Sequence, residues 1–231
     1  MLWAVSGPSP LGVTAPPLYV GASCGAPAAR RGGADVVLEQ PRNRGKGAAV
    51  RAGVAASSGR TVAFTDADLA YSPRQLLGFL EAIESGFDVA IGNRHHAATE
   101  TLVGTSRLRS FGSRVVNMAT TLLLLGNYRD TQCGCKAFRS DAAAVVMGVG
   151  VIDGFAFDIE VLHLVERHGL TMTELPVEVV NSETSTVRAI RDGVGVVGDI
   201  LRVRWAARRG TYPPLGEHAL PTPDPDEDAP Q

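Results

Sequence analysis

The sequence contains little cysteine, almost no lysine and no long apolar run. Its three cysteines are too few for a disulfide framework, which predicts a reducing compartment. Two of them, Cys133 and Cys135, stand too close together for an ordinary zinc pair, and no second pair follows. No stretch approaches the roughly 18 apolar residues of a transmembrane helix. The N-terminus also lacks the basic and apolar segments of a signal peptide.

Length and charge fit one soluble α/β domain. The chain has 231 residues, of which 45% are hydrophobic and 20% charged, enough for a sizeable core. Only Lys46 and Lys136 are lysines among 22 basic residues. Residues 217–231 carry five acidic and no basic side chains, so the net charge of −2 becomes +3 without them. A mildly basic body suits phosphorylated ligands or an anionic membrane surface.

Composition divides the chain into three parts. Residues 1–33 are rich in Gly, Ala, Pro and Ser without periodicity, which predicts a disordered or loosely packed leader. Residues 34–213 alternate strand and helix patterns, which predicts a single α/β domain. Residues 214–231 are acidic and proline-rich, and we expect a disordered tail.

An apolar run that ends in two carboxylates is the main candidate site. Residues 61–65 form a predicted buried strand, and Asp66 and Asp68 follow it. Ligands of open α/β sheets bind at the carboxyl ends of strands, and residues i and i+2 of extended backbone point the same way. Mg²⁺ or Mn²⁺ carrying a diphosphate is the natural occupant between two such acids. Alternatively, the two acids begin the helix predicted from Ser72-Pro73.

Four further stretches carry candidate functional groups. A glycine-rich turn at 43–47 precedes a predicted helix and can hold phosphate, although a plain tight turn has the same pattern. Residues 129–134 form a polar loop between two predicted apolar helices, one of them over 107–125. Asp158 and Glu160 open another helix, as favourable dipole charges or as site residues. Residues 187–209 form a basic amphipathic helix that either lies on an anionic membrane or packs on its own domain.

Five motifs occur together and in order. They are Asn-Arg-Gly-Lys-Gly at 43–47, Thr-Asp-Ala-Asp at 65–68, Gly-Asn-Arg at 92–94, Arg-Asp-Thr-Gln-Cys-Gly at 129–134 and Phe-Asp-Ile-Glu at 157–160. In this combination the chain resembles the family 2 glycosyltransferases that load polyprenyl phosphates, and looks most like the dolichyl-phosphate β-glucosyltransferases. The resemblance implies a GT-A fold, a doubly wound mixed α/β sheet. Relatives begin with strands ending in Pro-x-Tyr-Asn-Glu and Asp-Asp-Gly-Ser. Neither occurs before Val36, which predicts an N-terminally incomplete domain.

The same resemblance implies roles for individual residues. Asp68 would ligate the metal, and Asp66 would share it or hold the nucleotide side. Arg94 would face phosphate, and Asp130 would be the base or a carboxylate that orients the sugar; these two are the implied catalytic residues. The other predicted donor and acceptor contacts are Gly45, Lys46, Gln132, Glu160, Arg107 and Arg109.

The implied reaction is inverting transfer of a hexose, glucose from UDP-glucose, to a polyprenyl or dolichyl phosphate at the membrane surface, with Mg²⁺ or Mn²⁺. Three alternatives stay open: transfer of mannose from GDP-mannose, transfer to another acceptor, and an inactive fragment that only binds a membrane or partner. Nucleic acid is not an expected partner. The expected location is the cytoplasm, with peripheral contact to the inner face of the cell membrane as an option.

Overall fold

In the computed structural model, the described residues are 2–5, 17–22, 36–66, 70–94, 96, 99, 130, 133–154, 156–179 and 189–212. They form seven strands: β1 (Leu2–Val5), β2 (Pro17–Ala22), β3 (Val36–Gln40), β4 (Thr61–Phe64), β5 (Val89–Asn93), β6 (Lys136–Arg139) and β7 (Met172–Pro176). They also form five α-helices: α1 (Lys46–Ala56), α2 (Leu76–Glu84), α3 (Ser140–Val149), α4 (Phe157–Arg167) and α5 (Ala189–Arg208). A 3₁₀ turn over Pro73–Gln75 leads into α2. None of the described helices is long and apolar enough to cross a membrane.

One mixed sheet joins all seven strands in the order β3-β2-β1-β4-β6-β5-β7. Strands β1 and β6 pair antiparallel with their neighbours, and the other five strands share one direction. The carboxyl ends of β3, β4, β5 and β7 therefore meet the amino end of β6 at one edge of the sheet. This is the edge at which open α/β sheets bind ligands.

Side-chain alternation along the central strands builds two hydrophobic cores, one on each face of the sheet. Val62 and Phe64 of β4 face α3, α4 and α5, together with large residues of β5 and β6. Ala63 faces the other side, where the alanines of β5 and β6 leave room for Phe79 of α2 to pack closely. Successive residues of a strand point to opposite faces, so one apolar run serves both layers. The rings of Phe64 and Phe138 stack at 6.0 Å in the larger core.

Two strands lie in the leader over 1–33, which was predicted to be disordered or loosely packed. Leu2–Val5 forms β1 and lies between β2 and β4, with Leu2 opposite Phe64 and Val5 opposite Thr61. Pro17–Ala22 forms β2 and pairs in parallel with β3. Both are short runs of apolar and β-prone residues, which the surrounding Gly, Pro and Ala conceal in an average over composition. The rest of 1–33, and the predicted tail over 214–231, lie outside the described residues.

The remaining elements largely follow the predicted pattern, with one strand missed. The predicted strand at 61–65 corresponds to β4, and β3, β5 and β7 lie in the stretch 34–213, where alternating strand and helix patterns were predicted. Strand β6 was not predicted, because Lys136-Ala137-Phe138-Arg139 is only four residues long with a basic residue at each end. The predicted helix over 107–125 lies outside the described residues.

Candidate active site

Charged side chains from five elements meet at the carboxyl edge of the sheet. Lys46 is the first residue of α1, Asp66 follows β4, and Arg94 follows β5. Lys136 is the first residue of β6, which runs in the opposite direction and so begins at the same edge. Asp158 lies in the first turn of α4. The sequence separates these residues by up to 112 positions, and the topology of the sheet brings them together.

Four of these side chains form a continuous series of salt bridges, here called the ion-pair chain: Lys136–Asp158–Lys46–Asp66. Lys136 Nζ lies 2.6 Å from Asp158 Oδ1, and Lys46 Nζ lies 2.7 Å from Asp158 Oδ2. Lys46 Nζ also contacts Asp66 Oδ1 at 2.8 Å. Lys136 Nζ additionally donates to the backbone carbonyl of Cys133. The ion-pair chain thus links the glycine-rich turn, the end of β4, the start of β6 and the start of α4.

Mutual attraction keeps Asp158 and Lys46, the two middle members of the ion-pair chain, charged. Burial alone would raise the pKa of Asp158, but Lys136 and Lys46 outweigh it and the pKa is lowered. Burial alone would lower the pKa of Lys46, but Asp158 and Asp66 outweigh it and the pKa is raised. Both groups are therefore ionised at neutral pH. Lys46 thus supplies a positive charge at this edge of the sheet.

Gly134 lets the carboxylate of Asp66 lie directly against the backbone. A Cβ atom at position 134 would stand 1.9 Å from Asp66 Oδ2 and 2.2 Å from Asp66 Cγ. Only a residue without a side chain leaves room for the carboxylate in this position. The Asp66 carboxylate therefore packs directly on the backbone of Gly134, a position here called its seat. This contact explains why a glycine lies between the two buried cysteines.

Arg94 and Asp130 form a second, separate ion pair. Arg94 Nε donates to Asp130 Oδ2 at 2.7 Å, and Nη2 donates to Oδ1 at 2.8 Å. The backbone N–H of Arg94 also donates to Oδ2 at 2.9 Å. The side chain of Asp130 is fully buried, whereas that of Arg94 is 32% exposed. This bidentate geometry fixes the plane of the guanidinium group at the end of β5.

This geometry does not fit the prediction that Asp130 is a base. Burial would raise the pKa of its carboxyl group, but the hydrogen bonds and charge of Arg94 outweigh that effect and lower the pKa. A buried carboxylate with both oxygens engaged and a depressed pKa is a poor proton acceptor. We assign Asp130 the role of orienting Arg94. Arg94, whose side chain is partly exposed, remains the predicted phosphate contact.

Glu160 also differs from its predicted role as a donor contact. Its carboxylate is buried and accepts from the backbone N–H groups of Val151 and Ile152, at 2.8 and 3.0 Å. It also accepts from the phenol of Tyr212 at 2.7 Å. These bonds join the loop before α4 to the segment after α5. The carboxylate is used inside the fold and stabilises it.

Replacing Tyr212 by phenylalanine tests this structural assignment. The variant loses a buried hydrogen bond to a carboxylate, so we expect the free energy of unfolding to fall by about 1.5–3 kcal/mol. Urea unfolding measures this loss, and any binding of the nucleotide-sugar that the resemblance implies should not change. Weaker nucleotide binding with unaltered stability would instead place Glu160 at the ligand.

The backbone conformation and close packing at position 45 require a glycine. The φ of Gly45, 107°, lies in the left-handed region, and a Cβ atom would stand 2.3 Å from the carbonyl oxygen of Asp153. The turn at 43–47 therefore packs on the loop before α4, where Arg44 and Arg51 also pair with Asp153. Gly45 places Lys46 at the edge of the sheet, and its predicted donor contact stays a prediction.

The alternative that the two acids of 66–68 begin a helix is wrong for Asp66. Among the described residues, the next helical ones are the 3₁₀ turn at Pro73–Gln75 and then α2, whose N-cap is Gln75 without a side-chain capping bond. Asp66 is partly exposed and pairs with Lys46 instead. Four predicted site residues lie outside the described residues: Asp68, Gln132, Arg107 and Arg109.

The partly exposed carboxylate of Asp66 can hold a divalent cation at this edge. Asp130 and Asp158 are committed to Arg94 and the lysines, and the described residues contain no group of three or more His, Cys, Asp or Glu side chains that could hold a metal. A Mg²⁺-like ion commonly takes one or two carboxylates and completes its shell with water and substrate phosphates. Asp66 can supply one such ligand, so the edge suits a cation that arrives together with a diphosphate.

Lys136 was not among the predicted site residues, and Asp158 was left open between a helix-dipole charge and a site residue. Lys136 is 1% exposed, and it lies in the strand that the sequence pattern did not reveal. A usable signal was present, since the chain has only two lysines and both lie in the motifs quoted above or next to them. A buried lysine requires a buried carboxylate, and Asp158 was an available candidate in the fifth motif.

Residues 36–146 match the sequence model of Glycosyl transferase family 2. This segment, just under half of the chain, is similar to the family 2 glycosyltransferases. The chain is 32% identical over 162 residues to glycosyltransferase AglD of Haloferax volcanii, an alignment that covers 70% of this chain and 26% of that protein. It is 30% identical over 186 residues to a dolichyl-phosphate beta-glucosyltransferase of Mus musculus, covering 76% of this chain and 56% of that protein. The chain thus spans between about a quarter and just over half of these relatives.

Solved structures show that the fold is GT-A. Glucosyl-3-phosphoglycerate synthase of Mycobacterium tuberculosis, in complex with Mn²⁺, UDP-glucose and glycerol 3-phosphate, superposes with a TM-score of 0.59 at 17% identity. That match covers 84% of this chain and 68% of the synthase. Mannosyl-3-phosphoglycerate synthase of Rubrobacter xylanophilus gives 0.59 at 19% identity, covering 84% of this chain and 62% of that one. The predicted fold class is confirmed.

Proposed function

We propose that this domain transfers glucose from UDP-glucose to a polyprenyl phosphate, with inversion at the anomeric carbon and with Mn²⁺ or Mg²⁺. The single observation that carries the proposal is the partly exposed carboxylate of Asp66 at the same sheet edge as the cation of Arg94. The Asp66 carboxylate suits a cation that is bound to a diphosphate, and the Arg94 guanidinium suits two oxygens of one phosphate. The polyprenyl-phosphate acceptor and the donor follow from the named activities of the relatives.

The chemistry needs little from a protein base. An oxygen of the acceptor phosphate forms the new bond to the anomeric carbon, and the bond from that carbon to the diphosphate breaks with its electron pair leaving on UDP. The acceptor oxygen is already anionic, so no proton has to be removed, which agrees with the buried and orienting role of Asp130. Arg94 would hold a phosphate in line, and Asp66, with Asp68 by resemblance, would hold the cation. When bound, that cation offsets charge on the departing diphosphate.

Radiolabel transfer tests this function. The full chain is incubated with UDP-[¹⁴C]glucose, a polyprenyl phosphate and MnCl₂, and the organic extract is counted. We expect labelled lipid, and an Asp66→Asn variant should give none above background. A parallel reaction with GDP-[¹⁴C]mannose distinguishes the mannosyl alternative, and label in soluble glycan distinguishes another acceptor. Absence of label in every fraction would contradict the proposal.

We infer that the exposed face of α5 contacts an anionic membrane surface. Leu201 and Trp205 are one turn apart and 52% and 54% exposed. Arg208 and Arg209 follow on exposed positions, and the Arg209 guanidinium lies 3.5 Å from the centre of the Trp205 ring. The opposite face is buried through Ile200, Val203 and Ala206. An aromatic residue flanked by arginines suits the boundary between acyl chains and acidic headgroups.

Tryptophan fluorescence measures this contact. The chain has two tryptophans, so a Trp3→Phe variant reports on Trp205 alone. We expect its emission to shift to shorter wavelength on vesicles that contain acidic lipid. Zwitterionic vesicles should have little effect, and Arg208→Glu/Arg209→Glu should abolish the shift. Identical emission with and without acidic vesicles would show that this face does not bind lipid.

A further inference from the structure

Both lysines of the chain bind the same buried carboxylate. Among 22 basic residues only Lys46 and Lys136 are lysines, and both contact Asp158. An ammonium group is a compact charge with three rotatable donors, whereas a guanidinium is a planar fork. An ammonium can therefore bridge two carboxylates that come from different elements, as Lys46 does between Asp158 and Asp66. The two exceptions to the arginine-rich composition are thus at one point of the fold.

Exposure increases steadily along the ion-pair chain. The side chains of Lys136 and Asp158 are 1% and 4% exposed, and those of Lys46 and Asp66 are 17% and 33% exposed. The inner pair is enclosed and further fixed by the carbonyl of Cys133. The outer pair is within reach of solvent and of a ligand. One oxygen of Asp66 contacts the ammonium, and the other lies over Gly134.

Building on the proposed function, we propose that Lys46 is a displaceable counter-ion of Asp66, and that Asp158 and Lys136 are positioning residues that hold it. While no divalent cation is bound, the Lys46 ammonium neutralises Asp66 and keeps the carboxylate seated on Gly134. When a cation with its diphosphate takes Asp66, the ammonium retains its bond to Asp158, and its charge then faces the diphosphate. Asp66 thereby binds a bare cation weakly and a cation with a nucleotide strongly.

This arrangement predicts opposite effects for two neutralising substitutions. Lys46→Met removes the competitor of the cation and leaves the Lys136–Asp158 pair intact. Asp158→Asn removes the second partner of Lys46, so that its ammonium binds Asp66 alone and the charge of Lys136 is no longer balanced. We expect Lys46→Met to bind Mn²⁺ about tenfold more tightly without nucleotide, and Asp158→Asn to bind it about tenfold less tightly.

Electron paramagnetic resonance of free Mn²⁺ measures both affinities on the full chain, with and without UDP. The matched control is Asp153→Asn, which removes an acidic charge from the loop just before α4, where Asp153 pairs with arginines and not with Lys46. Its Mn²⁺ affinity should equal that of the wild type. UDP should strengthen Mn²⁺ binding more in the wild type than in Lys46→Met, because the variant lacks the ammonium that faces the diphosphate. Lys46→Met carries the test by itself if Asp158→Asn does not fold.

Two results would overturn the counter-ion role. One is Mn²⁺ affinity in Lys46→Met equal to or below that of the wild type. The other is a fall in Asp153→Asn as large as in Asp158→Asn, which would show a general effect of charge. Failure of the proposed function has a different signature: the wild type would not bind Mn²⁺ even with UDP present, whereas failure of the counter-ion role alone leaves that binding intact.

Discussion

Replacing Arg94 by methionine is expected to lower the free energy of unfolding by about 3–5 kcal/mol. The methionine leaves the Asp130 carboxylate fully buried without the two side-chain hydrogen bonds and the charge that now balance it. Asp130→Asn should cost less, because the remaining Arg94 side chain is about one-third exposed, whereas the Asp130 carboxylate is fully buried. Urea unfolding at pH 8 measures both variants. Equal losses, or a smaller loss for Arg94→Met, would contradict the assigned burial of the pair.

The pH dependence of this loss has a defined sign. In the wild type the pKa of Asp130 is lowered, so its stabilising effect is present above the unfolded value of about 3.9 and is lost as pH falls through the folded value. In Arg94→Met the carboxylate keeps the backbone hydrogen bond from residue 94 but loses the guanidinium charge, so burial is no longer outweighed and raises its pKa. The variant then gains stability as pH falls through that raised value. The difference in free energy of unfolding between the wild type and Arg94→Met should therefore decrease as the pH falls from 8 to 5. The corresponding difference for Asp130→Asn should stay constant over the same range.

Gly134→Ala is expected to abolish most transfer activity while the fold is retained. The new methyl group would stand 1.9 Å from Asp66 Oδ2, so the carboxylate must leave its seat. A displacement of about 1 Å at a reacting centre can cost about 100-fold in rate, and we expect a loss of that size. Because the atoms that clash belong to the end of one side chain, the loss of stability should stay below about 1 kcal/mol, a shift of a few degrees in the unfolding midpoint.

Gly148→Ala is the matched control for this substitution. Gly148 lies in α3, and a Cβ atom there meets no atom within 4 Å. This variant carries the same added methyl group and should transfer at the wild-type rate. Wild-type transfer by Gly134→Ala would show that the seat of Asp66 is not needed. Loss of transfer accompanied by unfolding would show that Gly134 serves the core and not the site.

The sequence could predict the position of the site because the strand pattern is local. The apolar run of β4 ends immediately before Asp66, and the topology of parallel strands then places Asp66 and Arg94 at one edge. The partners of these residues could not be predicted. The pairing of Arg94 with Asp130 joins residues 36 positions apart, and that of Lys46 with Asp158 spans 112 positions. No periodicity encodes such contacts, and they decide which carboxylates remain accessible.

Strands β1 and β2 of the leader were not predicted for a different reason. Strand β1 is four residues long and β2 is six, and each is bounded by residues that favour loops. A strand that short gains most of its stability from neighbours on both sides, here β4 on one side of β1 and β3 on one side of β2. The composition of 1–33 describes the isolated segment, whereas the sheet determines its conformation.

The central claim is that Asp66 is the carboxylate through which this domain binds a divalent cation together with a nucleotide-sugar. Isothermal titration of UDP-glucose into the wild type and into Asp66→Asn, each with and without MnCl₂, tests it most directly. Asparagine keeps the shape of the side chain, and Lys46 retains Asp158 as a partner. We predict binding by the wild type only with Mn²⁺, and no binding by a folded Asp66→Asn variant. Binding that is equal in the two proteins, or independent of Mn²⁺, would contradict the claim.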